Sequence, residues 1–207
     1  FRDEDGVLCF APRKYIEKMV TTYERLFGQK PKHNVLSPLE KGDHPELDDS
    51  ELLGEDDKAK YMSMIGSLQW SISLGRFDIA TAVMTLSSFR TAPRQGHLER
   101  AKRVYAYLQK FKHAVIRIRV GIPDYSGLED VEYDWEQSVY GKPKELLPKD
   151  APPPLGLFVI LTAYVDANLY HDMISGRSVT GILHLINQTP FDFFSKKQET
   201  VETATYG

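Results

Sequence analysis

The sequence predicts an α+β fold, a small helical bundle followed by an antiparallel strand meander. Apolar residues recur every three to four positions in four segments before Lys112, and the period shortens to two beyond it. The turns between the later strand-like runs are too short for parallel crossovers. A length of 207 residues accommodates one or two domains, and 42% apolar with 27% charged residues is the composition of an ordinary folded chain, neither disordered nor collagen-like.

Phe1 to Phe10 reads as a short hairpin turning at Asp5-Gly6. Pro12 suits a first helical position, Tyr15, Met19, Tyr23 and Leu26-Phe27 follow at spacings of three and four, and Gly28 supplies the stop. Residues 29–57 carry Pro31, Pro38 and Pro45, and Asp43 to Asp57 holds eight acidic and no basic side chains, the pattern of a solvated surface loop. Three further helices are predicted: Lys58–Leu74 on Tyr61, Met64-Ile65, Leu68 and Ile72; Phe77–Thr91 on Ile79-Ala80, Val83 and Leu86; and Gly96–Lys112 on Leu98, Ala101, Val104-Tyr105, Leu108 and Phe111. Residues 1–112 therefore read as one helical unit.

Ala114 to Val120 alternates apolar and basic residues, as a strand with one buried face does. It opens a second region, 113–156, whose remainder is an acidic connector ending in Pro152-Pro-Pro154. Leu157–Asp166, Ser178–Asn187 and Pro190–Phe194 are strand-like, and a helix start is expected from Glu199, so 157–207 reads as the opening of an α+β domain. Starting at Phe1 and ending in the first turns of a helix, the sequence reads as an excerpt from something longer.

Composition narrows the function. Cys9 is the single cysteine, so no intrachain disulfide forms and a reducing, intracellular setting is expected. The longest apolar run, Leu155 to Val165, falls short of the ~20 residues that span a bilayer, so no membrane partner is expected. A net charge of −3 means that nucleic-acid binding has to come from local clustering. Such a cluster exists: Arg90 to Arg119 contains nine basic side chains and one acid, Glu99. Arg90, Arg94, Arg100, Lys102, Arg103 and Lys110 are its candidates for phosphate contact, and a helix face balancing the acidic loops is the alternative use. Arg100 and Arg103 lie one turn apart, away from the apolar face of their helix.

Asp166 is the candidate for chemistry. It closes an apolar run in Thr162-Ala-Tyr-Val-Asp-Ala-Asn168, where an acid needs a cation, a donor or an exposed strand end. Tyr164-Val165-Asp166 stops short of the Tyr-Xaa-Asp-Asp metal turn of polymerases, because Ala167 replaces the second carboxylate. Asp43-His44, His97 and His171-Asp172 lack metal-ligand spacing, and loop hydrogen bonding is their expected use. No phosphate-cradling loop or nucleophile elbow is present, and Cys9 has no evident activating partner.

A run of motifs nevertheless resembles a known family. Tyr61-x3-Ile65-Gly-Ser-Leu68-x-Trp70, Arg76-x-Asp78-Ile79-x2-Ala82-Val83, Leu86-Ser87-x-Phe89, Pro93-x3-His97 and Ala101-Lys-Arg-Val104-x2-Tyr107-Leu108 resemble the segment that follows the polymerase site in Ty1/copia-type retrotransposon polyproteins. Tyr164-x-Asp166-Ala167, Ser175-Gly-Arg-Ser-Val-Thr-Gly181 and Ser195-Lys-Lys-Gln198 resemble the opening of that family's ribonuclease H domain, in the same order. The resemblance runs from about Asp5 to Gly207 and is weakest over 121–156. It implies a thumb and connection region gripping an RNA–DNA hybrid or template-primer duplex, then the first half of a ribonuclease H-like meander, within a reverse transcriptase.

The resemblance further implies that Lys196 and Lys197 join the nucleic-acid contacts, that Asp166 is a catalytic, Mg2+-binding acid, and that the remainder of the polyprotein is a partner. The expected setting is a cytoplasmic particle or the nucleus. Only one metal-binding acid is matched, Glu202 being a carboxylate favoured in a first helical turn, so this chain alone is expected to be catalytically silent. The alternatives are a non-catalytic nucleic-acid-binding remnant of a retroelement, a protein-interaction module using the acidic stretches 43–57 and 124–150, and a metal-dependent hydrolase on Asp166, His171 and Asp172.

Overall fold

A computed structural model describes residues 1–32, 34–128, 137, 148–153, 156, 158–168 and 171–201. It is α+β, with four α-helices preceding a three-stranded antiparallel sheet. Most of the connector over 121–156, and all of the predicted helix start beyond Val201, lie outside the described residues.

The opening hairpin turns at Gly6, whose φ of 76° is the left-handed backbone that a side chain resists. Its second arm, β1 (Cys9–Phe10), also pairs antiparallel with β2 (Ile116–Arg117), which joins the start of the chain to the end of the helical unit. Helix α1 (Arg13–Phe27) follows Pro12 and stops at Gly28, whose left-handed backbone lets its N–H donate to the Glu24 carbonyl at 2.8 Å. Its buried stripe is Ile16, Met19 and Tyr23.

Helix α2 (Glu55–Ser73) is the centre of the bundle. It starts three residues earlier than its apolar pattern suggests, because Glu55, Asp56 and Asp57 favour the positive end of the helix dipole. Tyr61, Met64, Ile65 and Leu68 are at most 1% exposed, and the Tyr61 hydroxyl donates to the Leu86 carbonyl at 2.7 Å. The predicted helix 77–91 is shorter than its periodicity. It is a 3-10 turn at Phe77–Ile79, then α3 (Ala80–Ser87), and the Ser87 and Ser88 hydroxyls turn back onto the carbonyls of Met84 and Thr85. Helix α4 (Gln95–Lys110) closes the core with Leu98, Ala101, Val104, Tyr105 and Leu108.

The sheet runs in the order β3 (Leu161–Asn168), β4 (Val179–Ile186), β5 (Thr189–Lys197), all antiparallel. The β4–β5 hairpin turns at Asn187, which has φ 53°. Its buried side chain accepts from the Ile160 amide and donates to the Val120 carbonyl, both at 2.8 Å. Phe193 of β5 stacks on Phe77 with ring centres 6.4 Å apart, and this contact helps seat the sheet on the bundle.

Two expectations about strands need correcting. The alternation in 114–120 predicts a buried apolar face, but only Ile116–Arg117 enters the ladder and Val120 is 80% exposed. The run ending at Asp166 predicts a buried strand, but Leu161, Tyr164 and Val165 are all more than half exposed. Strand β3 is an edge strand paired on one side only among the described residues, which leaves its apolar side chains uncovered.

Candidate nucleic-acid interface

The acidic stretch 43–57 is not the freely solvated loop that its composition suggests. Residues 43–53 form a strap across the N-terminal end of α4, held by charge complementarity with that helix, and Glu55–Asp57 open α2. Pro45 is buried in a 3-10 turn (Pro45–Leu47), and the Pro45 carbonyl accepts from His97 Nε2 at 2.9 Å. His97 Nδ1 in turn accepts from the Arg94 amide at 3.0 Å, which fixes a neutral imidazole. Burial pushes the His97 pKa down, in the same direction, against the opposing pull of the Pro45 carbonyl and Asp48. His97 is thus a packed structural residue, stacked on Phe89 at 4.1 Å.

Next along the strap, the Ser50 hydroxyl accepts from the Gly96 amide at 2.9 Å, capping one of the free donors at the start of α4. A side chain at position 96 would collide with the Asp48 carboxylate, whose Oδ2 would lie 1.7 Å from a Cβ built there. Glycine lets that carboxylate approach the helix.

Arg100 is the hub of the strap. Its Nε and Nη2 donate to Asp43 at 2.8–3.0 Å and its Nη1 to Asp48, the two aspartate side chains being 14% and 8% exposed. Burial alone would raise the Asp48 carboxyl, but hydrogen bonds from Ser50 and Arg100 outweigh it and hold the pKa below the ordinary value. Arg103 donates to the carboxylate of Glu40 at 2.8 Å and to the Ser37 carbonyl at 3.2 Å. Lys102 pairs with Glu99 at 2.7 Å and sits 4.7 Å from the Phe27 ring centre. Exposed pairs of this kind contribute only about 0.2–1 kcal/mol, whereas a desolvated, multiply bonded arginine is costly to strip of its partners.

The other candidates are spread more widely. Arg94 donates to the Ser50 carbonyl, Arg90 to the Ser87 carbonyl, and Lys110 lies over Phe111. These three have no carboxylate partner among the described residues. Arg90 and Arg94 lie at the N-terminal end of α4 and Lys110 at its C-terminal end, so the helix separates them by about 24 Å. Lys196 pairs with Glu199 at 3.0 Å and Lys197 with Asp172 at 2.5 Å. Burial alone would raise the Asp172 carboxyl, but Lys197 and the Ser175 amide bring it down to about 2.

Asp166 is exposed and stands inside β3, two residues before its end, rather than at the strand terminus. The register sets it opposite Gly181, which faces Ser195 on β5, so its cross-strand neighbours bring no second acid. Among the described residues no group of three or more His, Cys, Asp or Glu side chains could hold a metal ion. A two-magnesium site needs several carboxylates, and the donor set around Asp166 does not fit one. His171 and Asp172 do not converge on Asp166 as a hydrolase site. The His171 Nδ1 meets the Asn168 amide at 3.0 Å, and Asp172 Oδ1 accepts from the Ile174 and Ser175 amides of its own turn. Sequence reasoning missed the strap residues Asp43, Asp48 and Ser50 as partners of α4; eight acids beside nine bases was the available signal.

The fold and this surface define an α+β chain whose basic helix is neutralised in part by carboxylates of its own. Comparison with known proteins finds two similarities. A 65-residue stretch, 31% of the chain, is 38% identical to a protein named for transposon Ty5-1 of Saccharomyces cerevisiae, and covers 21% of that protein. The chain is also 28% identical over 141 residues, 68% of its length, to secreted RxLR effector protein 161 of Plasmopara viticola, covering 75% of that protein. No protein-family model matches, and no solved structure matches significantly. Among the described residues no helix is long and apolar enough to cross a membrane.

Proposed function

We propose that the chain is a segment of a Ty1/copia-type retrotransposon reverse transcriptase/ribonuclease H polyprotein. In this reading the helical unit contributes RNA–DNA duplex binding and the sheet opens a ribonuclease H domain. The observation that carries the reading is the similarity to the Ty5-1 protein. The resembling motifs support it through their placement, since Tyr61, Ile65, Leu68, Ile79, Ala82, Val83, Leu86, Ala101, Val104 and Leu108 are all buried in one core. What the motifs preserve is a packed scaffold, and the chemistry belongs to the intact polyprotein. The partners are a hybrid or template-primer duplex and the remainder of the polyprotein, in a cytoplasmic particle or the nucleus. Magnesium would be a cofactor of the complete enzyme, where Asp166 would supply one carboxylate beside acids from the rest of the polyprotein.

Fluorescence anisotropy with a labelled RNA–DNA hybrid tests the reading. Affinity falls steeply between 50 and 200 mM salt, and Arg90→Ala with Lys110→Ala lowers the logarithmic salt slope by about two, one for each phosphate contact removed. Binding that ignores salt, or none at all, would overturn duplex binding in favour of a protein-interaction remnant. No magnesium-dependent cleavage of the hybrid's RNA strand by this chain is expected, since the cross-strand neighbours of Asp166 bring no second acid, and robust turnover would overturn this.

A further inference from the structure

Between the end of α1, residues 29–32 and 35–43, and the outer side of α4 lies a cavity of about 480 Å³, within the ~300–1,000 Å³ typical of small-molecule sites. Its lining includes three largely buried groups, Tyr23, Val35 and Ala106. Its walls are cationic. Lys30 and Lys32 are exposed and have no carboxylate partner among the described residues. Lys102 and Arg103 reach carboxylates only at Glu99 and Glu40, whose side chains are 60% and 70% exposed. Such glutamates turn out into water at little cost when a stronger anion arrives. Arg100, gripped by two largely buried aspartates, stays with the strap. The cavity therefore offers four cations to a ligand against two displaceable acids.

We propose that this cavity binds a small ligand carrying two adjacent phosphate groups, such as inorganic pyrophosphate or a nucleoside diphosphate. Two flexible lysines on the loop side and Lys102 with Arg103 on the helix side neutralise a charge that a single phosphate would not balance. A duplex is too wide to enter a space of this volume, so although Lys102 and Arg103 are also candidates for duplex contact, the ligand proposal does not depend on the polyprotein reading. An organic group on the phosphates would rest against the stems of the lysines and the apolar lining.

Isothermal titration calorimetry of the full chain with inorganic pyrophosphate, and separately with ADP, tests this. One-to-one saturable binding is expected, weakened at least tenfold by Lys30→Ala with Lys32→Ala and unchanged by Lys14→Ala, an exposed α1 lysine outside the cavity lining. Circular dichroism of the double variant matches the parent, since both lysines are exposed. Tighter binding of ADP supports contact with the apolar lining, and equal binding supports recognition by the phosphates alone. No saturable binding, or full-strength binding by the double variant, overturns the proposal. Hybrid affinity measured on the same samples decides the duplex reading separately.

Discussion

The helical unit and the three-stranded sheet solve the same problem with unequal resources. In the bundle, α2 packs one face against the other three helices, and Tyr61, Ile65, Leu68, Val83, Leu86, Ala101 and Val104 are completely withdrawn from water. In the described part of 157–201 the buried side chains are Ser178, Asn187 and Ser195, and none is apolar. Backbone ladders order the sheet, but a hydrophobic core does not, and ladder hydrogen bonds contribute little net stability compared with apolar burial. The bundle carries the hydrophobic core, whereas the apolar side chains of the sheet are exposed along β3 and only half-buried along β4.

The sharpest break of this comparison is a pair of truncations. Leu68→Ala removes a fully buried side chain and costs about 3 kcal/mol in urea unfolding, while Val165→Ala, on a residue 66% exposed, changes stability by less than about 0.5 kcal/mol. Equal losses would mean that the sheet carries a core of its own. The strap comes next. Arg100→Ala leaves Asp43 and Asp48 without their counter-charge and costs about 2 kcal/mol, less than a fully buried pair because Arg100 is 22% exposed.

Acid separates the two regions more gently. The folded pKa of His97 is depressed, so the unfolded chain takes up its proton first. The stability that this residue holds above about pH 6.5 is then lost as pH falls toward the folded value. Asp172 is also depressed, to about 2, so its contribution is complete above about pH 4 and fades between there and pH 2. Screened by solvent, the Asp172 pair is worth about 1 kcal/mol. Hydrogen exchange across this range therefore shows α4 loosening first and the 172–176 turn later. Simultaneous loss, or a reversed order, would unmake the assignment.

The helices were readable in advance because each writes its buried stripe at a spacing of three and four, as Tyr61, Met64-Ile65 and Leu68 do. Strand pairing in the meander was readable for a similar reason, since short turns allow only antiparallel neighbours. The strap was not. Asp43 and Arg100 are 57 residues apart, and nothing local to either marks the other as a partner, so an acidic run and a basic helix each looked solvated. Asp166 was found as an isolated acid, but its place inside an exposed edge strand depends on what covers that edge, which the apolar run cannot state.

Asn187 gives the architecture a further property. One amide side chain holds Val120 with its nitrogen and Ile160 with its oxygen. These two anchor points are fixed to each other through a hairpin that belongs to neither. Asn187→Ala would therefore loosen both anchors at once.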